Sequence, residues 1–169
     1  MDVAVVNAAL SGFELKSASD TLRRFPVQMD VYSRVLDYCT IVAAGKHIAH
    51  AQSMIPPWWG CIAANWCGDV VELEVLQTPE MNPNVDKYSL AQMLWREEVL
   101  AALEILGADK GVRSKPRGAL WRRLSDVAEL DHLRGIVREQ LKARQRWRPD
   151  SKSIQSGRQL AADDATSLS

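Results

Sequence analysis

The pattern of residues predicts an α/β fold: a mixed central sheet flanked by helices, followed by a C-terminal helical module. Three observations carry it. Two apolar runs near the start, with a turn between them, read as an antiparallel hairpin. A helix-period stripe then leads into a nearly continuous apolar run, the form a buried strand takes when it joins a sheet through a crossover. After a linker rich in proline and asparagine, the remaining apolar positions recur at helical spacing.

The hairpin begins with Asp2–Asn7 and turns through Ala8-Ala9-Leu10-Ser11, with Gly12 supplying the turn. Its second run alternates, so Phe13 and Leu15 face one way and Glu14 and Lys16 the other. A carboxylate and an ammonium thus share one face, within reach of Asp2 on the neighbouring strand. Ser19 or Asp20 offers a cap for a helix running to about Asp37, but Pro26 would remove a hydrogen bond from its middle. The other solution starts the helix at Pro26 and leaves Ser17–Phe25 as a looser connection. From Pro26, Val27, Val31 and Val35 with Met29 and Leu36 form the stripe, and Gln28 and Tyr32, four apart, project together. Read structurally, that pair is a polar edge with Tyr32 packed into the core.

Tyr38–Ala44 is the buried strand, ended by Gly45. His47–Met54 forms a short helix stopped by Pro56-Pro57, Cys61–Ala64 another strand, Asn65–Asp69 a turn, and Val70–Leu76 a strand toward an edge. Trp58 and Trp59, sitting before a strand, seal the core edge; stacking on bases is the functional alternative. Glu72 and Glu74 make a second carboxylate pair, on a solvated face. Pro79–Val85 is a linker, after which Ser89 caps an amphipathic helix to about Leu106 with Gly107 as its stop. A basic turn from Gly111 to Arg117 precedes a helix to about Val127, and Asp131 opens a last helix ending near Arg148. The organisation is therefore a core at 1–78, a linker at 79–88, a basic helical module at 89–148 and a disordered tail at 149–169.

At 169 residues with 47% hydrophobic and 25% charged, the chain has the makings of a real core. No apolar run approaches the ~20 residues of a membrane span and no basic-then-apolar leader opens the chain, which points to the cytoplasm. Cys39, Cys61 and Cys67 include no Cys-x-x-Cys pair, and the spacing of His47 and His50 matches no zinc finger, so reduced thiols are expected. The net charge of zero conceals an asymmetry. Residues 69–109 hold nine acids against two bases, whereas residues 110–148 hold twelve bases against four acids. A basic block of this kind suits a polynucleotide backbone, with Arg113, Lys115, Arg117, Arg122 and Arg123 as phosphate contacts. Intramolecular pairing of the acidic and basic segments is the competing expectation.

An acid on one strand and Glu-x-Lys on the next is the layout of a hydrolytic Mg²⁺ site: two carboxylates hold a hard cation that keeps several waters. On Asp2, Glu14-Leu15-Lys16 and Gln28-x-x-x-Tyr32, the chain resembles the PD-(D/E)XK nuclease superfamily and its RecB-type branch. It also resembles, more fully, a bacterial family with a basic helical C-terminal part. The resemblance covers roughly the first half of the chain and implies a restriction-endonuclease-like sheet. It makes Asp2 and Glu14 ligands of Mg²⁺ or Mn²⁺, the Leu15 carbonyl a further ligand and Lys16 the catalytic lysine. Gln28 and Tyr32 would line the site from the helix. Superfamily members usually carry a helix and a strand ahead of the Asp-bearing strand. Neither precedes Asp2 here, so either the chain is shortened at its start, or a second copy or another partner completes the site, or the nuclease is degenerate. The function expected is Mg²⁺-dependent hydrolysis of phosphodiester bonds in DNA; the alternative is a nuclease scaffold that binds nucleic acid without turnover.

Overall fold

The computed structural model describes residues 1–145. The expected end of the last helix near Arg148 and the polar tail from 149 lie outside the described residues. Five strands form one mixed sheet in the order β1-β2-β3-β4-β5. Strands β1 (Val3–Val6) and β2 (Leu10–Lys16) make the hairpin, with Val3 opposite Phe13 and Ala4 opposite Gly12. Gly12 is therefore not the turn, which falls at residues 7–9. Its role is close approach. A Cβ there would collide with the Met1 side chain and come 2.7 Å from Leu36 Cδ1.

Helix α1 (Phe25–Ser33) starts at the proline, the second of the two solutions above. It stops short of Asp37 because the Val35 and Leu36 amides both turn back to the Tyr32 carbonyl, and the Asp37 amide donates to the Leu10 carbonyl. Strand β3 (Tyr38–Ala44) pairs parallel with β2, and α2 (Gly45–Met54) follows without a break. Strand β4 (Gly60–Cys67) pairs parallel with β3 and runs three residues beyond the expected Ala64. The turn is accordingly shorter than Asn65–Asp69. Gly68, at φ 61°, takes the left-handed conformation that lets β5 (Val70–Gln77) fold straight back at the sheet edge.

Two parallel steps in one direction require two crossovers of the same hand, which puts α1 and α2 on one face. That face is the core side: Leu10, Ile41 and Cys61 are buried on it, as is Glu14. The alternation along β2 is as expected, but the charged side of the strand is the buried one and Leu15 is exposed. Phe25 and Trp59 meet edge to face with centroids 5.7 Å apart, worth about 1 kcal/mol beyond their burial. The Trp59 indole donates to Ser33 Oγ at 3.1 Å. Trp58 and Trp59 thus pack in the core.

The helical part departs from expectation in one place. The single helix from Ser89 to Leu106 is two helices, α3 (Lys87–Ala91), capped by Asp86 rather than Ser89, and α4 (Arg96–Ile105). The break has a physical cause. Trp95 N–H is taken by the Glu98 carboxylate at 2.7 Å, and the Leu94 carbonyl accepts from the Trp121 indole at 3.1 Å. Met93 O is taken by Arg144. Three backbone groups a continuous helix would use are thereby committed elsewhere. Helices α5 (Arg117–Val127) and α6 (Leu130–Gln145) complete the packing, with Leu120, Leu124, Leu133 and Val137 buried. One hydrophobic cluster includes residues from the sheet and from these helices. No helix among the described residues is long and apolar enough to cross a membrane.

Candidate active site

Strand β2 delivers Glu14 and Lys16 to the core face, and α1, crossing that face, brings Gln28 and Tyr32 down onto them. The Lys16 ammonium donates to Glu14 Oε1 at 2.7 Å and to Gln28 Oε1 at 3.2 Å. Glu14 is 1% exposed, and its second oxygen accepts no hydrogen bond. The Met1 ammonium stands 3.4 Å from that oxygen and also donates to the Tyr32 hydroxyl. Burial pushes the Tyr32 phenol above its ordinary value and the Glu14 charge adds to this, against an opposing hydrogen bond with Gln28.

Asp2 lies across from Glu14, next to the Val3–Phe13 pair. Its amide donates to the Phe13 carbonyl at 3.3 Å, and its carboxylate accepts from the Leu15 amide at 2.8 Å. The residue is thus pinned to β2 at both ends. Glu14, Lys16, Gln28 and Tyr32 meet on one face, and Asp2 borders them through the Leu15 backbone, whose side chain points to the opposite face.

The donor set fits a hard cation held by few protein oxygens. The Glu14 oxygen that accepts no hydrogen bond has the Met1 ammonium at 3.4 Å as its charged neighbour, and Mg²⁺ commonly takes one or two carboxylates and keeps its waters. Among the described residues no three of His, Cys, Asp and Glu cluster as a metal site. Two carboxylates and a backbone carbonyl are what this chain offers.

Beside this group lies a feature that sequence reasoning missed. A crevice of about 530 Å³ is lined by Arg23, Lys46, His47 and His50, together with Asp20 and Met54. A smaller one of about 300 Å³, lined by Arg23, Arg24, Val27 and Gln28, shares Arg23 with it and touches the glutamine that accepts from Lys16. The loop before α1 and the start of α2 converge because β2 and β3 are parallel and end together. Hydrogen bonds from the Ser17 side chain and amide hold the Asp20 carboxyl below its ordinary value, with the Lys16 and His47 charges adding to this. These basic residues are scattered over 23–50 and form no run, so no charge count could flag them.

The expected phosphate contacts lie far along the chain, on the turn before α5 and on α5 itself. Arg113 pairs with Asp109 at 2.6 Å and Glu104 at 3.2 Å. Arg117 stacks over Trp121 and Arg122 over Tyr88, and Arg123 donates to the Ala108 carbonyl. Lys115 is exposed. Arg144 forks onto Glu98. The acidic and basic segments therefore do meet within the chain.

A family model described as Bacteriophage P4 protein cII matches residues 1–168. Protein cII of Enterobacteria phage P4 is 24% identical over 106 residues, which is 63% of this chain and 40% of that protein. The aligned stretch therefore spans about two fifths of the curated relative's length. No solved structure matches the chain.

Proposed function

The chain belongs to the bacteriophage P4 protein cII family, and we infer that this member is a divalent-metal-dependent deoxyribonuclease. The observation that supports the reading is the buried Glu14 carboxylate, joined to Lys16 and bordered by Asp2, Gln28 and Tyr32. A carboxylate in the core face of a sheet is expensive. A charged pair kept there without a structural need is what a reaction site looks like. The arrangement of hairpin, helix and parallel strand around it agrees with the resemblance to the PD-(D/E)XK superfamily.

Asp2, Glu14 and the Leu15 carbonyl would hold Mg²⁺ or Mn²⁺. Bound there, the cation supplies charge to offset that on the phosphoryl oxygens and lowers the pKa of a coordinated water. The chain's own residues do the rest. Lys16, fixed between Glu14 and Gln28, orients the attacking water and presents a positive charge to the scissile phosphate. Gln28 keeps the ammonium aimed, and Tyr32 closes the side of the site toward α1. The shelf of Arg23, Arg24 and Lys46, with His47 and His50 beside them, gives a polynucleotide backbone its path to the site. Arg113, Lys115, Arg117, Arg122 and Arg123 form a separate basic surface, in which Arg113 is balanced by Asp109 and Glu104.

The test is cleavage of linear single- and double-stranded DNA with Mg²⁺ or Mn²⁺, wild type beside Glu14→Gln and Lys16→Ala. Metal-dependent products lost in both variants are expected. Retained DNA binding without any cleavage would replace this reading with that of a nuclease scaffold serving only to bind.

A further inference from the structure

The monotonic strand order leaves one side of the sheet bare. With α1 and α2 both on the Glu14 face, the opposite face carries Val3, Leu15, Trp66, Val71, Leu73 and Val75, exposed at 44, 45, 75, 47, 63 and 62%. The register aligns Leu15, Val42, Ile62 and Val75 in one row across four strands. Pro79 covers Gly60 at one end, near Thr40. Toward the middle of the sheet Thr40 is buried and Phe13, Val42 and Ile62 are half-buried, so the exposed apolar residues lie toward the edges. Not one of the strand residues pointing to it is charged, whereas Glu14, Lys16, Glu72 and Glu74 all lie on the other. Sheets with parallel strands normally have both faces covered, and large bare apolar patches mark interaction sites.

We propose that this face is the interface of a homodimer, in which two copies stack their sheets face to face. Area supports a second copy. Five strands ~4.8 Å apart, with about seven residues at ~3.3 Å each, cover roughly 24 by 23 Å. Two such faces together bury on the order of 1,100 Å², which reaches the ~1,000 Å² that a specific interface needs. Charge also supports it: a face without charges meets its own copy with no like-charge penalty, and offers nothing to a polynucleotide. Edge-to-edge pairing of β5 is the other route to a dimer. It is disfavoured because Glu72 and Glu74 of each strand would come alongside those of the other. A face-to-face stack follows a two-fold axis, closes on itself, and leaves both Glu14–Lys16 groups on the outer faces. The inference does not depend on the nuclease reading.

The experiment is sedimentation velocity on the full chain at up to about 100 µM, a range that captures micromolar dimers. Wild type is expected at twice 18.9 kDa. Leu73→Lys on β5 and Leu15→Lys on β2 are each expected to weaken dimerisation at least about 100-fold, with far-ultraviolet circular dichroism unchanged. Hydroxyl-radical footprinting of the wild-type chain reads the same contact without a variant. Trp66, Leu73 and Leu15 become protected as concentration rises. A monomer at all concentrations overturns the proposal, whether the face stays bare or residues 146–169 cover it within one chain. So does a dimer in which these side chains stay reactive or whose mass both substitutions leave intact.

Discussion

Asp37 and Arg134 stand 2.8 Å apart, 1% and 9% exposed, and join the end of the α1 loop to α6. Asp37 also accepts from the Leu10 amide at 2.8 Å, so one carboxylate ties β2, the approach to β3 and the helical part together. Removing one member of a buried pair leaves the other uncompensated. Arg134→Met is expected to cost about 3 kcal/mol in urea unfolding, and Asp37→Asn with Arg134→Met distinctly less than the two single changes added. Strict additivity would mean that the two residues act separately.

The Glu14–Lys16 pair is expected to behave differently on the proposed reading, in which it serves a reaction rather than the fold. Each of Glu14→Leu and Lys16→Met strands a charge in the core face and should destabilise by about 3 kcal/mol. The double variant, which leaves only the Met1 ammonium without its partner, should be more stable than either single variant yet devoid of cleavage. Thermal unfolding compared with the DNA assay measures both halves. A double variant much less stable than either single would make the pair a structural element instead.

Much of this was legible in the residues. Strand β3 and helix α5 fall where their patterns place them, because a continuous apolar run and a proline-led amphipathic segment leave few alternatives. Periods of two on a strand and of four on a helix put Glu14 with Lys16 and Gln28 with Tyr32, but only the resemblance to the PD-(D/E)XK superfamily joined these pairs and Asp2 into one site. What escaped depends on contacts distant in sequence. Gly12 reads as a turn residue locally, yet it is needed for the passage of Met1 and Leu36. The break before Arg96 needs Glu98, Trp121 and Arg144, the last 46 residues beyond the glutamate it holds. Neither Asp37 nor Arg134 carries any local mark of burial.

Gly12 yields a prediction of its own. Ala at this position puts a methyl group into the Met1 and Leu36 side chains, and overpacking of this kind costs about 1–3 kcal/mol. Gly12→Ala should therefore lower the unfolding midpoint. Because Met1 contacts Glu14, it should also perturb cleavage, whereas alanine at Gly135 of α6, where a Cβ meets open space, should leave cleavage unchanged. Equal effects at both glycines would count against the close-approach account.

If the shelf beside the site guides the DNA backbone, its cations should appear in the salt dependence of binding. Each phosphate contact removed lowers the slope of log K against log salt by about 1. Arg23→Ala and Lys46→Ala should each do so. Arg113→Ala should not, since Asp109 and Glu104 already balance that guanidinium. Fluorescence anisotropy titrations over a salt series give the slopes, and the reverse ordering would move the DNA path to α5.

Glu98 supplies the pH dependence. Burial alone would raise its carboxyl, but the Arg144 hydrogen bonds, the Trp95 amide and the Arg144 charge outweigh it and hold the group below its ordinary value. A carboxyl depressed in the folded state contributes stability that is complete above its unfolded pKa, about 4.3, and is lost as pH falls through the folded value. Near neutrality, Glu98→Gln should cost about 2 kcal/mol, the loss of charge-assisted bonds to Arg144 and of the cap on Trp95. Toward pH 3 the difference between wild type and variant should shrink, because the wild-type carboxyl then takes up its own proton. Arg144 also lies 4.1 Å from the Trp95 ring centroid, a contact that needs no carboxylate and should persist in acid. Denaturant midpoints of both proteins across this range decide the matter: a constant gap would assign the stability to packing rather than to the ionised pair.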